Sequence, residues 1–159
     1  MPYEHADDFL TKKSAKKSPT NQQHLGVVEL IAYVRKHVEG VNFKILDVSK
    51  DLKKLKLTYE NVPAMTYEEF LRDEIKSVDF IPDVVGVSIS FSSAFNSSMK
   101  LISIAKRTWH GTKVICGGNH STNGYDRLLK NIDIDYVIRG EAEISFTEFV
   151  KNQISGKET

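Results

Sequence analysis

The chain has 159 residues, 40% hydrophobic and 27% charged, with 22 Lys+Arg against 21 Asp+Glu for a net charge of +1. That is material for a single core in one domain, it excludes disorder of the whole chain, and the even charge balance lacks the field that nonspecific nucleic-acid binding needs. The lone Cys116 excludes an internal disulfide, no apolar leader opens the chain, and the longest apolar run, Pro82 to Ile89, falls far short of the roughly 20 residues that cross a bilayer. The expectation is a soluble, cytoplasmic protein with neither nucleic acid nor membrane as partner.

Residues 1–23, with Lys12, Lys13, Lys16 and Lys17 set around Ser14, Ser18 and Pro19, have the composition of a flexible basic segment, and the lysines receive no role. The α/β domain is expected over residues 24–155. From Leu25 to Val38 the residues Val27, Leu30, Ile31, Val34 and Val38 recur at helical spacing, and Gly40 ends the helix. Val41 to Val48 alternates apolar and polar residues before turning apolar, the pattern of a strand entering a buried sheet. Residues 49–63 read as a connection in which Leu55 to Tyr59 is suited to a short edge strand.

Thr66 with Glu69 three residues on forms a capping box that opens a helix through about Val78, with Phe70 and Ile75 inward. Val84 to Ile89 is the most apolar stretch and predicts a central parallel strand covered on both faces. Asn96 to Trp109 places Leu101, Ile102, Ala105 and Trp109 on one helical face; Lys113 to Cys116 is a strand closed by Gly117 and Gly118. A short helix over Tyr125 to Lys130 with Leu128 and Leu129 inward, a strand over Asp135 to Ile138 and a helix over Ile144 to Ile154 complete the alternation. The pattern predicts a doubly wound parallel sheet, Rossmann-like or flavodoxin-like, in three α/β/α layers.

In such a sheet a ligand sits beyond the carboxyl ends of the strands. Three segments meet there: Ser88-Ile-Ser90-Phe91-Ser-Ser93, Gly117-Gly118-Asn-His120-Ser-Thr122 and Arg139-Gly140-Glu141-Ala-Glu143. Glycines without Cβ atoms let a flat ligand approach the backbone, and they equally serve a tight turn. Serines at strand ends donate to a ligand or cap the next helix. Glu141 and Glu143 suit an acid/base pair or the positive end of a helix dipole, and Cys116 reads as a small buried hydrophobe.

The serine-bearing strand end followed by a double glycine resembles cobalamin-binding domains: 26 residues, 91 to 116, separate Ser90 from Gly117, in keeping with the family's spacing. The stretches PDVVGVSIS, VICGGNHST and DYVIRGEAEISFTEFV look like the N-terminal cobalamin-binding domain of cobalamin-dependent radical S-adenosylmethionine (radical SAM) enzymes. His24-Leu25-Gly26 and Ile45-Leu46-Asp47 resemble two further elements of those domains, so the likeness runs from Gln23 to Lys151. It implies cobalamin as cofactor, bound by Ser88, Ser90, Phe91, Gly117, Gly118, His120, Gly140 and Glu141, and a radical SAM domain or subunit as partner in methyl transfer or related radical chemistry.

The likeness has departures. The Asp-x-His-x-x-Gly motif that supplies a lower-face histidine elsewhere in the family is absent, so no histidine ligand from this chain is expected. With one cysteine the chain lacks the three that a radical SAM iron–sulfur cluster requires; no cluster is expected here, no metal site either, and the chain is not expected to be catalytic alone. The strand that opens family domains has no counterpart in residues 1–23, leaving its place to a truncated start, to Leu55 to Tyr59 or to a second chain. A protein-interaction or regulatory module that keeps the fold without the cofactor is the rival reading. A groove beside Gly117 filled by residues 1–23 or by Phe91 and Tyr125 would favour that rival. Of the two glycines, Gly118 is expected to give the cleaner binding effect on substitution, provided that its φ is negative.

Overall fold

A run of β-branched residues becomes a strand only when a neighbour satisfies its backbone, and three segments of this chain do that for one another. The structure, a computed structural model, describes residues 25–48 and 66–157. Among them the elements are α1 (Leu25–His37), α2 (Tyr67–Lys76), β1 (Val84–Ser88), a 3-10 turn (Ser92–Ala94), α3 (Phe95–Thr108), β2 (Lys113–Gly117), α4 (Asn119–Asn123), α5 (Tyr125–Leu128), β3 (Tyr136–Val137) and α6 (Glu143–Ser155). The strands are parallel in the order β1-β2-β3, with Val84 opposite Lys113, Ser88 opposite Gly117 and Cys116 opposite Val137.

Alternation along β2 divides the core between two faces. Val114 and Cys116 point into a cluster with Ile102, Leu128 and Ile134, whereas Ile115 points the other way onto Val34, Phe146, Phe149 and Val150. On the first face α2 adds Phe70, Leu71 and Ile75 against Ile104, Ala105 and Trp109 of the α3 segment. Helices α2, α3 and α5 therefore cover one side and α1 with α6 the other, giving the expected three-layer α/β/α architecture. Full burial of residues such as Leu71, Ile89 or Ile102 contributes about 1.5–3 kcal/mol each.

Local signals explain the boundaries. The Thr66 hydroxyl accepts from the Glu69 amide (3.2 Å) while the Glu69 carboxylate accepts from the Thr66 amide (2.6 Å), so the capping box forms as the sequence predicts. At the opposite end of the sheet from the strand-end loops, the Asp135 carboxylate accepts from the Val114 amide (2.7 Å) and from Lys106 Nζ (2.6 Å), which also donates to the Thr112 carbonyl (3.0 Å). One carboxylate thus joins α3, β2 and the entry to β3. Burial raises the Asp135 pKa, but the Lys106 and Val114 hydrogen bonds, with the charges of Lys106 and Lys113, outweigh it and hold the carboxyl below its ordinary 3.8.

Several expectations need correction. Residues 41–47 form no strand among the described residues: Val41 and Phe43 pack on the α1 side of the core, but the segment has no ladder partner there. β1 is not covered on both faces, because Gly86 and Ser88 are exposed. Leu129 points outward at 53% exposure while Leu128 is fully buried. The short helix ends at Leu128, and an unexpected turn of helix, α4, precedes it. The edge-strand reading of Leu55 to Tyr59, the basic segment 1–23 and His24 lie outside the described residues.

Candidate functional site

At the carboxyl end of the sheet, each strand hands its chain to a loop, and backbone hydrogen bonds lock the first two loops together. The Ile89 amide donates to the Gly117 carbonyl (2.8 Å), and the Ile89 carbonyl accepts from the His120 amide (3.0 Å). Ser92 Oγ lies in hydrogen-bond contact with His120 Nδ1 (3.2 Å), and the His120 ring stands edge-on to Phe95 with centroids 5.5 Å apart. His120 is thereby a loop-joining residue, held on both its backbone and its ring.

The two glycines have different tasks. Gly118 has φ +98° and ψ 173°, a region essentially closed to other residues, and a Cβ there would meet the Ile89 carbonyl oxygen at 2.8 Å. It is a structural glycine, contrary to the expectation of a clean binding effect at this position, which assumed a negative φ. Gly117 is the reverse: its φ is not positive, and among the described residues nothing lies within 4 Å of where a Cβ would be. The open approach to backbone is therefore at Gly117, which faces exposed Ser88 across the β1–β2 ladder.

The α4 turn owes its form to hydroxyls that bond back to carbonyls four residues earlier. Fully buried Ser121 donates to the Gly117 carbonyl (2.9 Å), and Thr122 donates to the Gly118 carbonyl (3.2 Å). Thr122 Oγ1 also accepts from the Gly140 amide (3.0 Å), which ties the third loop to the second. Ser121 and Thr122 have no assigned part in the sequence reading, although hydroxyls at the fourth residue after each of two glycines were a legible signal. Arg139 adds a second tie, its guanidinium 4.1 Å from the Tyr125 ring centroid, and Arg127 lies 4.4 Å from that of Phe95.

The remaining expected site residues fall around this frame. Ser90 is half-buried just beyond Ile89; Phe91 is 56% exposed and does not come within 4 Å of where a Gly117 Cβ would be; Gly140 has φ +74° with no described residue within 4 Å of where its Cβ would be; Glu141 is exposed. Tyr125 is half-buried beneath Arg139. Burial pushes the Cys116 thiol up to about 12, so this cysteine is an inert core residue. Two surface hollows lie elsewhere: one of about 190 Å³ between α1 and Phe43 and Ile45, another of about 280 Å³ on the outer face of α2 and α3. Among the described residues no helix is long and apolar enough to cross a membrane.

A doubly wound parallel sheet with a glycine-opened, hydroxyl-rich carboxyl edge defines a cofactor-binding α/β domain, and the open backbone at Gly117 with exposed Ser88 and Gly140 fits a broad, flat group laid across the strand ends. Within that class the assignment is specific: residues 15–150 match the B12 binding domain family, and the chain belongs to it. Over 80 residues, 50% of this chain, it is 34% identical to an uncharacterized methyltransferase of Pyrococcus horikoshii. The chain spans 17% of the length of that relative. No solved structure matches it.

Proposed function

We infer that this chain is a cobalamin-carrying module that works with a radical SAM domain or subunit in methyl transfer or related radical chemistry, with residues 24–155 as the binding unit. The observation that carries the reading is the family match over residues 15–150 together with the unobstructed backbone at Gly117. The likeness to a methyltransferase of which the chain spans 17% supports action in concert with a further domain. A cytoplasmic setting accords with radical chemistry that needs a reducing compartment.

When bound, cobalamin supplies a cobalt centre able to carry a methyl group or relay an electron. The protein's own part is to bind and orient. Ser88 and Ser90 offer hydroxyls, Gly117 gives close backbone approach, Gly118 holds the turn against Ile89, and Gly140 and Glu141 bound the far side. Phe91, exposed at the mouth, offers an apolar face to the corrin. His120 has its Nδ1 engaged with Ser92, which supports a loop role over ligation of the cobalt.

The test is gel filtration of the full chain with excess hydroxocobalamin. Comigration of protein with a corrin absorption band is the expected result, and Gly117→Ala should weaken it. Colourless protein under saturating cofactor refutes the reading and leaves the interaction module that keeps the fold without the cofactor.

A further inference from the structure

Two guanidiniums stand at the strand-end loops with no task in the core. Arg139 and Arg127 are both exposed, each is stacked on an aromatic ring, at 4.1 Å on Tyr125 and 4.4 Å on Phe95, and neither is paired with a carboxylate among the described residues. Stacking immobilises a guanidinium through its face and leaves the N–H groups along its edge in a fixed plane. The platforms themselves belong to the loop frame: Phe95 touches the His120 ring, and Tyr125 directly follows Gly124, whose amide donates to the His120 carbonyl (2.9 Å).

Arg139 is the better placed of the two. The residue before it, Ile138, donates its amide to the Cys116 carbonyl (2.8 Å), and the residue after it, Gly140, donates to Thr122 Oγ1, itself bonded to the Gly118 carbonyl. The side chain therefore rises from a backbone fastened on both sides to the Gly117–Gly118 turn. The flanking carboxylates in sequence, Asp126, Glu141 and Glu143, outnumber the two arginines, so no broad positive field surrounds the site. An anion held here would be held by directed N–H donors, which favours a single compact oxyanion over a polyanionic surface.

We propose that Arg139, seated on Tyr125, binds a phosphodiester at the strand ends, with Arg127 on Phe95 as a flanking cation. Resting on the cobalamin reading above, the proposal identifies that group as the phosphodiester of the cofactor's nucleotide tail. Arg139 then discriminates among corrinoids: those that carry the tail gain a charge-assisted contact, and those that lack it do not.

The test compares hydroxocobalamin with cobinamide, which has the corrin but no nucleotide phosphodiester, by titration of the full chain followed through the corrin spectrum. Wild type should favour cobalamin, and Arg139→Gln should weaken cobalamin binding about tenfold while leaving cobinamide binding, measured on the folded fraction, unchanged. Tyr125→Leu, which keeps the charge and removes its platform, should lose a smaller part of the same preference. Excess inorganic phosphate should weaken cobalamin binding and spare cobinamide. Equal loss of both corrinoids in Arg139→Gln, or equal affinity of wild type for both, overturns the proposal and leaves the cobalamin reading intact. Phosphate binding by a protein that binds both corrinoids equally would assign the arginines to a free anion and likewise overturn it. Failure of wild type to bind either corrinoid instead overturns the cobalamin reading, and the proposal with it.

Discussion

Replacing Gly118 by alanine imposes two separable costs. A residue with a Cβ at φ +98° and ψ 173° is strained by about 1–3 kcal/mol. The added carbon would also lie 2.8 Å from the Ile89 carbonyl oxygen and 3.1 Å from its carbon, atoms of a backbone fixed by bonds to Gly117 and His120, so relief requires the β1 and β2 loops to part. Overpacking of this kind costs about 1–3 kcal/mol more. The sum, about 2–6 kcal/mol, is a large share of the about 5–15 kcal/mol that holds a domain together. At about 2–4 °C per kcal/mol for a chain of this size, the melting temperature should fall by at least about 4 °C. Gly117→Ala, with open space and no positive φ, should stay within about 0.5 kcal/mol of wild type. Urea unfolding followed by fluorescence of Trp109, the only tryptophan, measures both. A Gly118→Ala protein as stable as wild type would refute the assignment of that glycine to the turn.

Other perturbations have equally direct readouts. Because the folded Asp135 pKa lies below its ordinary 3.8, its stabilisation is fully present above that value and is lost as pH falls through the lower folded value. Melting temperature should therefore drop below about pH 4 in wild type, with a shallower acid limb in Asp135→Asn. Cys116, with its thiol pushed up to about 12, should resist a thiol-reactive disulfide reagent at pH 8 in the native protein and react at once in denaturant; rapid native labelling would contradict its burial. Thr122→Val removes the acceptor for the Gly140 amide and the donor to Gly118, and it should destabilise by about 1–2 kcal/mol with faster amide exchange at Gly140. Thr66→Ala, which breaks the capping box, should cost about 1 kcal/mol in urea unfolding.

The layered α/β/α fold was legible because its signals are periodic. Ala105 and Trp109, at helical spacing, are buried in one cluster with Leu101 packed against it, Ile102 is buried in the neighbouring cluster, and Val84 to Ser88 and Lys113 to Gly117 do pair in parallel. Residues 41–47 misled because alternation tells which side chains face a core but not whether a neighbouring strand exists to complete the ladder. Phe43 obeys the pattern and packs, Ile45 obeys it and is 48% exposed. The α4 turn was hidden by composition, since Asn, Ser and Thr read as loop formers until their hydroxyls are seen to bond back to Gly117 and Gly118. The three strand-end loops were placed correctly as a group. What distinguishes Gly117 from Gly118 is a backbone angle and the position of Ile89, 28 residues upstream of Gly117, and no local sequence pattern reports either.

Ile89 gives both its backbone groups to the second loop, its amide to Gly117 and its carbonyl to His120, so the loop after β2 cannot open without breaking into the sheet itself. In hydrogen exchange, the Ile89 and His120 amides should therefore open together with the buried strand residue Val114. The segment from Phe91 to Ser93 is exposed throughout and is joined to the second loop by a side-chain contact, Ser92 Oγ to His120 Nδ1, rather than by the backbone bonds that hold Ile89. Amide exchange along the carboxyl edge should thus be slow at the floor built on Ile89 and faster at the exposed lip, with the change falling at Ser90.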